Sequence, residues 1–168
     1  MWKLGDTVMY GAAGICGISD IRDEKFGDEI KKYFILKPVF DDKNTFFVPS
    51  FNETLMSKLR PVLTKDEVLA LIGRMPAIEP CWIDNDKIRQ ESYKEILDSG
   101  NRDKVVAVAK ALYNRREMLT EKGKKLRTSD EIVMRNAEML IENECAHVLG
   151  MTRVEVRDLI IARTRHKI

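Results

Sequence analysis

The apolar residues of this chain change their spacing at Pro61, from roughly every second position to every third or fourth, and that change limits what the chain can fold into. Between Leu4 and Pro49, the groups Val8 and Tyr10, then Ile15, Ile18 and Ile21, then Tyr33, Ile35 and Lys37, then Phe46 and Val48 mark short segments near period two. Glycine and Asp/Asn clusters separate them. Gly27-Asp28 and Asp41-Asp42-Lys43-Asn44 suit hairpin connections, and Gly11, Gly14 and Gly17 crowd a turn where a positive φ or a close backbone approach is expected. A sheet this small gains by closing, because open edges leave backbone groups unpaired, so residues 1–60 are expected to form a small antiparallel barrel of the Tudor or SH3 kind.

After Pro61 the signals are helical. Thr64-Lys65-Asp66-Glu67 reads as a capping box, in which hydroxyl and carboxylate satisfy two free amides, and Val68, Leu69, Leu71 and Ile72 follow as an apolar face ending near Gly73. Pro76 and Pro80 mark a connector. A second helix is expected over Ile83 to Leu97, with its apolar face starting at Ile88 and Tyr93, and Ser99-Gly100-Asn101 stops it. Val105, Val106, Val108, Ala109, Leu112 and Tyr113 form the stripe of a third. Thr128-Ser129-Asp130-Glu131 and Thr152-Arg153-Val154-Glu155 read as two further boxes, opening a long helix to Gly150 and a final one through Val156, Leu159 and Ile160. The fold class expected is α+β, with an all-α domain of about five helices over residues 61–168.

At 168 residues, 44% of them hydrophobic, the chain has ample material for a buried core. No signal segment opens it, and no apolar run approaches the roughly 20 residues of a membrane span. A cytoplasmic protein is expected. Cys16, Cys81 and Cys145 are scattered and lack ligand spacing, so neither a disulfide framework nor a metal site is indicated. The two histidines, His147 and His166, offer no dyad, since Cys145 and His147 stand two apart on a helix and point to different faces. Gly11 to Gly17 lacks the spacing of a phosphate loop. Asp84 and Asp86 suit the first turn of a helix better than a catalytic pair. Neither enzyme nor cofactor is expected.

Charge is uneven. Residues 102–127 hold nine basic and three acidic side chains, a net +6, while residues 1–56 hold seven and nine, a net −2. A basic cluster attracts phosphate backbones through counterion release, although a solvated helix face has the same composition. Trp82 stands just before a polar helix with Lys87, Arg89 and Lys94 nearby. Local sequence favours packing into a core, whereas an aromatic among cations at the mouth of a helix also fits a wedge on nucleic acid.

The ordered set Leu4-Gly5-Asp6-Thr7-Val8-Met9-Tyr10, Gly14-Ile15-Cys16-Gly17-Ile18, Tyr33-Phe34-Ile35-Leu36-Lys37, Phe47-Val48-Pro49, and Trp82 before Tyr93-Lys94-Glu95-Ile96-Leu97-Asp98-Ser99-Gly100 resembles the CarD/CdnL family of bacterial transcription regulators. The resemblance implies a Tudor-like domain that binds the RNA polymerase β subunit by extending a sheet. It also implies a helical domain that contacts promoter DNA at the upstream edge of the transcription bubble. There Trp82 matches the family's minor-groove wedge, which stabilises the open complex. On this reading Lys87, Arg89, Lys94, Arg115, Lys124 and Lys125 hold the DNA backbone, and Lys25, Phe46, Phe47, Val48 and Pro49 face polymerase. Some members carry an arginine where this chain has Phe47, so the contact there is expected to be apolar. A monomeric, nucleoid-associated protein is implied.

Two other readings stay open. Residues 148–161 loosely fit a helix-turn-helix that would place Arg153, Arg157 and Arg163 in a major groove and read sequence. A protein–protein adaptor with no role on DNA is the other.

Overall fold

The computed structural model describes residues 1–164; His166 lies outside them. Five strands form one antiparallel sheet: β1 (Thr7–Tyr10), β2 (Gly14–Phe26), β3 (Glu29–Pro38), β4 (Phe46–Pro49) and β5 (Leu59–Pro61), in the order β4-β3-β2-β1-β5. Gly27-Asp28 turns β2 into β3 with Gly27 at φ 63°, and the pair Phe26↔Glu29 closes that hairpin. Asp41 shapes the next connection by accepting the amide of Lys43 and the side chain of Asn44. The ladder ends at β4 on one side and β5 on the other. A four-residue helix, α1 (Glu53–Met56), links these two end strands and, like β5, has no counterpart among the strands read from the sequence.

Alternation fixes the inner face of the sheet. Val8, Cys16, Ile18, Phe34, Leu36, Val48 and Leu59 form its core. On β1 and β2 the opposite face is buried as well: Met9 and Ile15, directly paired across the two strands, enter the second core, which belongs to the helices.

Five longer helices follow: α2 (Lys65–Arg74), α3 (Asp86–Ser99), α4 (Arg102–Glu121), α5 (Thr128–Leu149) and α6 (Arg153–Thr164). Their core joins Val68, Leu71 and Ile72 with Tyr93, Leu97, Leu112, Met134, Ala137, Ile141, Val156 and Ile160. The boxes at Thr64–Glu67 and Thr152–Glu155 form as expected, each with both reciprocal bonds. The box at Thr128 does not. Arg127 occupies the cap position of α5 without a side-chain bond, so Thr128 falls inside the first turn, and the Asp130 carboxylate is turned inward to a guanidinium. α3 starts later than the apolar spacing suggests, capped by Asn85, whose Oδ1 accepts the Ile88 amide at 3.0 Å. Ile88 itself is exposed, and Arg89 takes the inward position with Tyr93 and Leu97 at successive four-residue steps.

Sheet and helices are tied by polar contacts. The Asp98 carboxylate accepts the Ala12 amide at 3.1 Å and pairs with Lys58 Nζ at 2.6 Å. Gly11, at φ 47°, lies so close that a Cβ would collide with Asp98. Buried Glu144 accepts the Leu63 amide at 3.0 Å and two donors of Arg102, whose Nη2 also reaches the Pro61 carbonyl at 3.0 Å. The Asp98-Ser99-Gly100 end of α3 is therefore a docking point, with Gly100 in the left-handed region against the side chain of Arg60.

Candidate nucleic-acid interface around Trp82

Trp82 precedes α3 in a segment held by several hydrogen bonds. The Cys81 amide donates to the Ala107 carbonyl at 3.1 Å, and the Cys81 carbonyl accepts the hydroxyl of fully buried Tyr93. The indole Nε1–H donates to Asp84 at 2.8 Å. Arg89 Nη1 donates to the carbonyls of Ile83 at 2.9 Å and Asp84 at 3.3 Å. Upstream, Lys110 Nζ reaches the carbonyls of Met75, Pro76 and Ile78, fixing the proline connector onto α4. The ring is half-buried, with part of it packed against the helical core and the rest open. Trp82 thus combines the two roles considered for it, a core contact and a surface.

Two guanidiniums lie over the indole, Arg89 at 4.4 Å and Arg115 at 5.0 Å from its centroid. The expectation that Arg89 contacts a DNA backbone differs from its geometry. Arg89 is 2% exposed, and its Nε and Nη2 engage Asp130 at 3.1 and 2.8 Å while Nη2 also meets Asp86 at 2.7 Å. A guanidinium with its donors used within the protein has none left for a phosphate. Asp86 also pairs with Arg127, and its carboxyl is held below the usual range, chiefly by the bond from Arg89. Gln90 completes the group at 2.7 Å from Asp130.

The other basic candidates are accessible. Lys87 and Lys94 stand exposed seven residues apart on α3, Lys124 and Lys125 are exposed between α4 and α5, and Arg115 is half-buried on α4. The Arg127–Asp86 pair brings the end of the basic segment to the start of α3. Asp84, Asp130 and Gln90 belong to the same cluster, whereas from sequence Asp84 and Asp130 were read only at helix starts and Gln90 only in a polar run; Asp130, 41 positions from Arg89, carries no local signal of that role.

At the sheet, Phe46, Phe47, Val48 and Pro49 fall together on the edge strand β4, whose outer side has no strand partner among the described residues. Val48 is fully buried, so its side chain holds the core and cannot face a partner. Phe46 is partly buried, with its ring 5.6 Å from that of Tyr10. Phe47 points the other way and is 58% exposed. Lys25 lies apart from them, exposed on β2 opposite Ile30, whereas β4 pairs with β3 only from Tyr33 to Leu36. Near the hairpin end, Tyr33 packs against Phe26 and Phe51, and Lys31 lies over both phenylalanine rings.

The helix-turn-helix reading meets a different obstacle. Arg153 and Arg157 are both bound to buried Glu142, at 2.8 and 3.0 Å, although Arg157, like Arg163, is exposed. Among the described residues no three His, Cys, Asp or Glu side chains group as metal ligands, and no helix is long and apolar enough to cross a membrane.

No curated protein matches the chain. Residues 2–61, spanning β1 to β5, match the family model described as the CarD-like/TRCF RID domain.

Proposed function

We propose that this chain is a non-catalytic transcription regulator that binds RNA polymerase through its sheet and stabilises the promoter open complex through its helices. The RID-type domain at residues 2–61 supports a transcription role with polymerase as the partner. The β subunit docks by adding a strand to the outer edge of β4, where backbone groups are unpaired and exposed Phe47 supplies an apolar contact. In the helical part, Trp82 wedges against the minor groove at the upstream edge of the bubble while Lys87, Lys94, Arg115, Lys124 and Lys125 hold phosphates.

The observation that carries this reading is a partly exposed tryptophan held by hydrogen bonds, with Arg89 and Arg115 over its ring and exposed Lys87 and Lys94 on the helix that follows. Tethering to polymerase raises the local concentration of the DNA contact, so neither interface has to be tight alone. The wedge shifts the closed-to-open equilibrium only by its preference for the melted junction. Open-complex lifetime on a promoter, measured with purified polymerase, tests the proposal. The protein should lengthen it, and Trp82→Ala should abolish the gain while still binding polymerase; a variant that lengthens it as well as the wild type rules out the wedge.

A further inference from the structure

The two arginines over Trp82 share a charge and little else. Arg89 is buried, and Asp130, Asp86 and the carbonyls of Ile83 and Asp84 occupy its in-plane donors, leaving its flat face for the indole. Two carboxylates balance its charge. Arg115 is half-buried and reaches the indole from α4, and among the described residues it has neither an ion pair nor a hydrogen bond. Its donor edge is uncommitted among the described residues, and its contact with the indole is a cation–π one.

From this asymmetry we infer that Arg89 is the positioning residue of Trp82, and that Arg115 is the exchanging one, moving from the indole to a backbone phosphate when the tryptophan meets nucleic acid. The inference rests on the wedge role proposed above. The exchange is favourable because a bidentate guanidinium–phosphate pair is stronger than one cation–π contact at a partly exposed ring. It also frees ring surface at the moment that surface gains a base or sugar to touch. Arg89 cannot do the same, since its departure would leave buried Asp130 without its cation.

The test uses the full chain carrying Trp2→Phe, which leaves Trp82 as the sole tryptophan, with a duplex containing a short unpaired bubble as probe. Arg115→Ala should weaken probe binding about three- to tenfold and reduce the slope of log Kd against log salt by about one, the signature of a lost phosphate contact. Arg115→Lys should retain the slope. Arg89→Gln should shift the Trp82 emission of the free protein and leave the slope unchanged. An unaltered slope in Arg115→Ala, or a reduced one in a folded Arg89→Gln, overturns the inference; if Arg89→Gln does not fold, the Arg115→Ala slope decides alone. Trp82→Ala separates the two levels. If it loses binding while Arg115→Ala keeps its slope, the wedge stands and the division between the arginines fails. If it binds the probe like the wild type, the wedge and the exchange fail together.

Discussion

The Glu144 carboxylate on α5 receives the Arg102 guanidinium at 2.6 Å, at the point where the strand-forming part of the chain hands over to the helices. The same carboxylate accepts the Leu63 amide, and the same guanidinium reaches the Pro61 carbonyl, so two side chains hold both ends of the link. Glu144→Ala should therefore lower stability by about 3 kcal/mol in urea unfolding, because it orphans a cation and an amide together. A loss below about 1 kcal/mol would mean that the link is held by packing alone.

Gly11 and Gly17 stand near each other in sequence and should respond differently to alanine. Gly11 has φ 47° and no room beside Asp98, whereas Gly17 has ordinary backbone and open space around it. Gly11→Ala should cost about 1–3 kcal/mol by thermal unfolding, and Gly17→Ala should stay within about 0.5 kcal/mol of the parent.

On β4, neighbouring residues separate stability from binding. Val48→Ala should destabilise by about 2 kcal/mol, as expected for methyl groups removed from a packed core. Phe47→Ala should leave unfolding unchanged and weaken capture of purified polymerase. Equal capture by the Phe47 variant would remove that ring from the polymerase interface.

Acid should loosen the start of α2 through one carboxylate. The Thr64 amide, donating to Glu67, holds its carboxyl below the usual range. A folded-state value below the unfolded one gives stability that is complete above the unfolded pKa, about 4.3, and fades as pH falls through the lower folded value. Glu67→Gln, which retains an acceptor, should flatten this acid limb in a series of unfolding curves. Nuclear magnetic resonance titration of Glu67 should show its low midpoint directly.

The three cysteines offer a test of the two cores. Burial pushes the thiols of Cys16 and Cys145 up to about 12 and shields them, while Cys81 is half-buried. Of the three, only Cys81 should react with an aromatic disulfide in the folded chain, and all three after denaturation.

The main division of the fold was legible because period-two and helical spacing are local signals, and Thr64 with Glu67 announced the first long helix through a bond between near neighbours. What escaped sequence reasoning depends on distant partners. Thr128 to Glu131 has the letters of a capping box, yet the cap falls one residue earlier, at Arg127, and Asp130 is turned inward to Arg89, 41 residues away. Arg89 sits in a polar run and reads as solvent-exposed, while Ile88 beside it reads as core; the helix rotates them the other way because the buried acid needs its cation. Trp82 was legible as important but ambiguous between core and surface. The ambiguity was real, since the ring is divided between them.

β1 is shared property. Val8 lines the core of the sheet while its neighbour Met9, with Ile15 across the ladder, lines the core of the helices. Severing the chain between residues 60 and 61 would unroof both sides, leaving the amino-terminal fragment with an oily scar and the carboxy-terminal fragment with a missing wall. A graft of this sheet onto other helices inherits the same debt, and must bring its own surface to cover Met9 and Ile15.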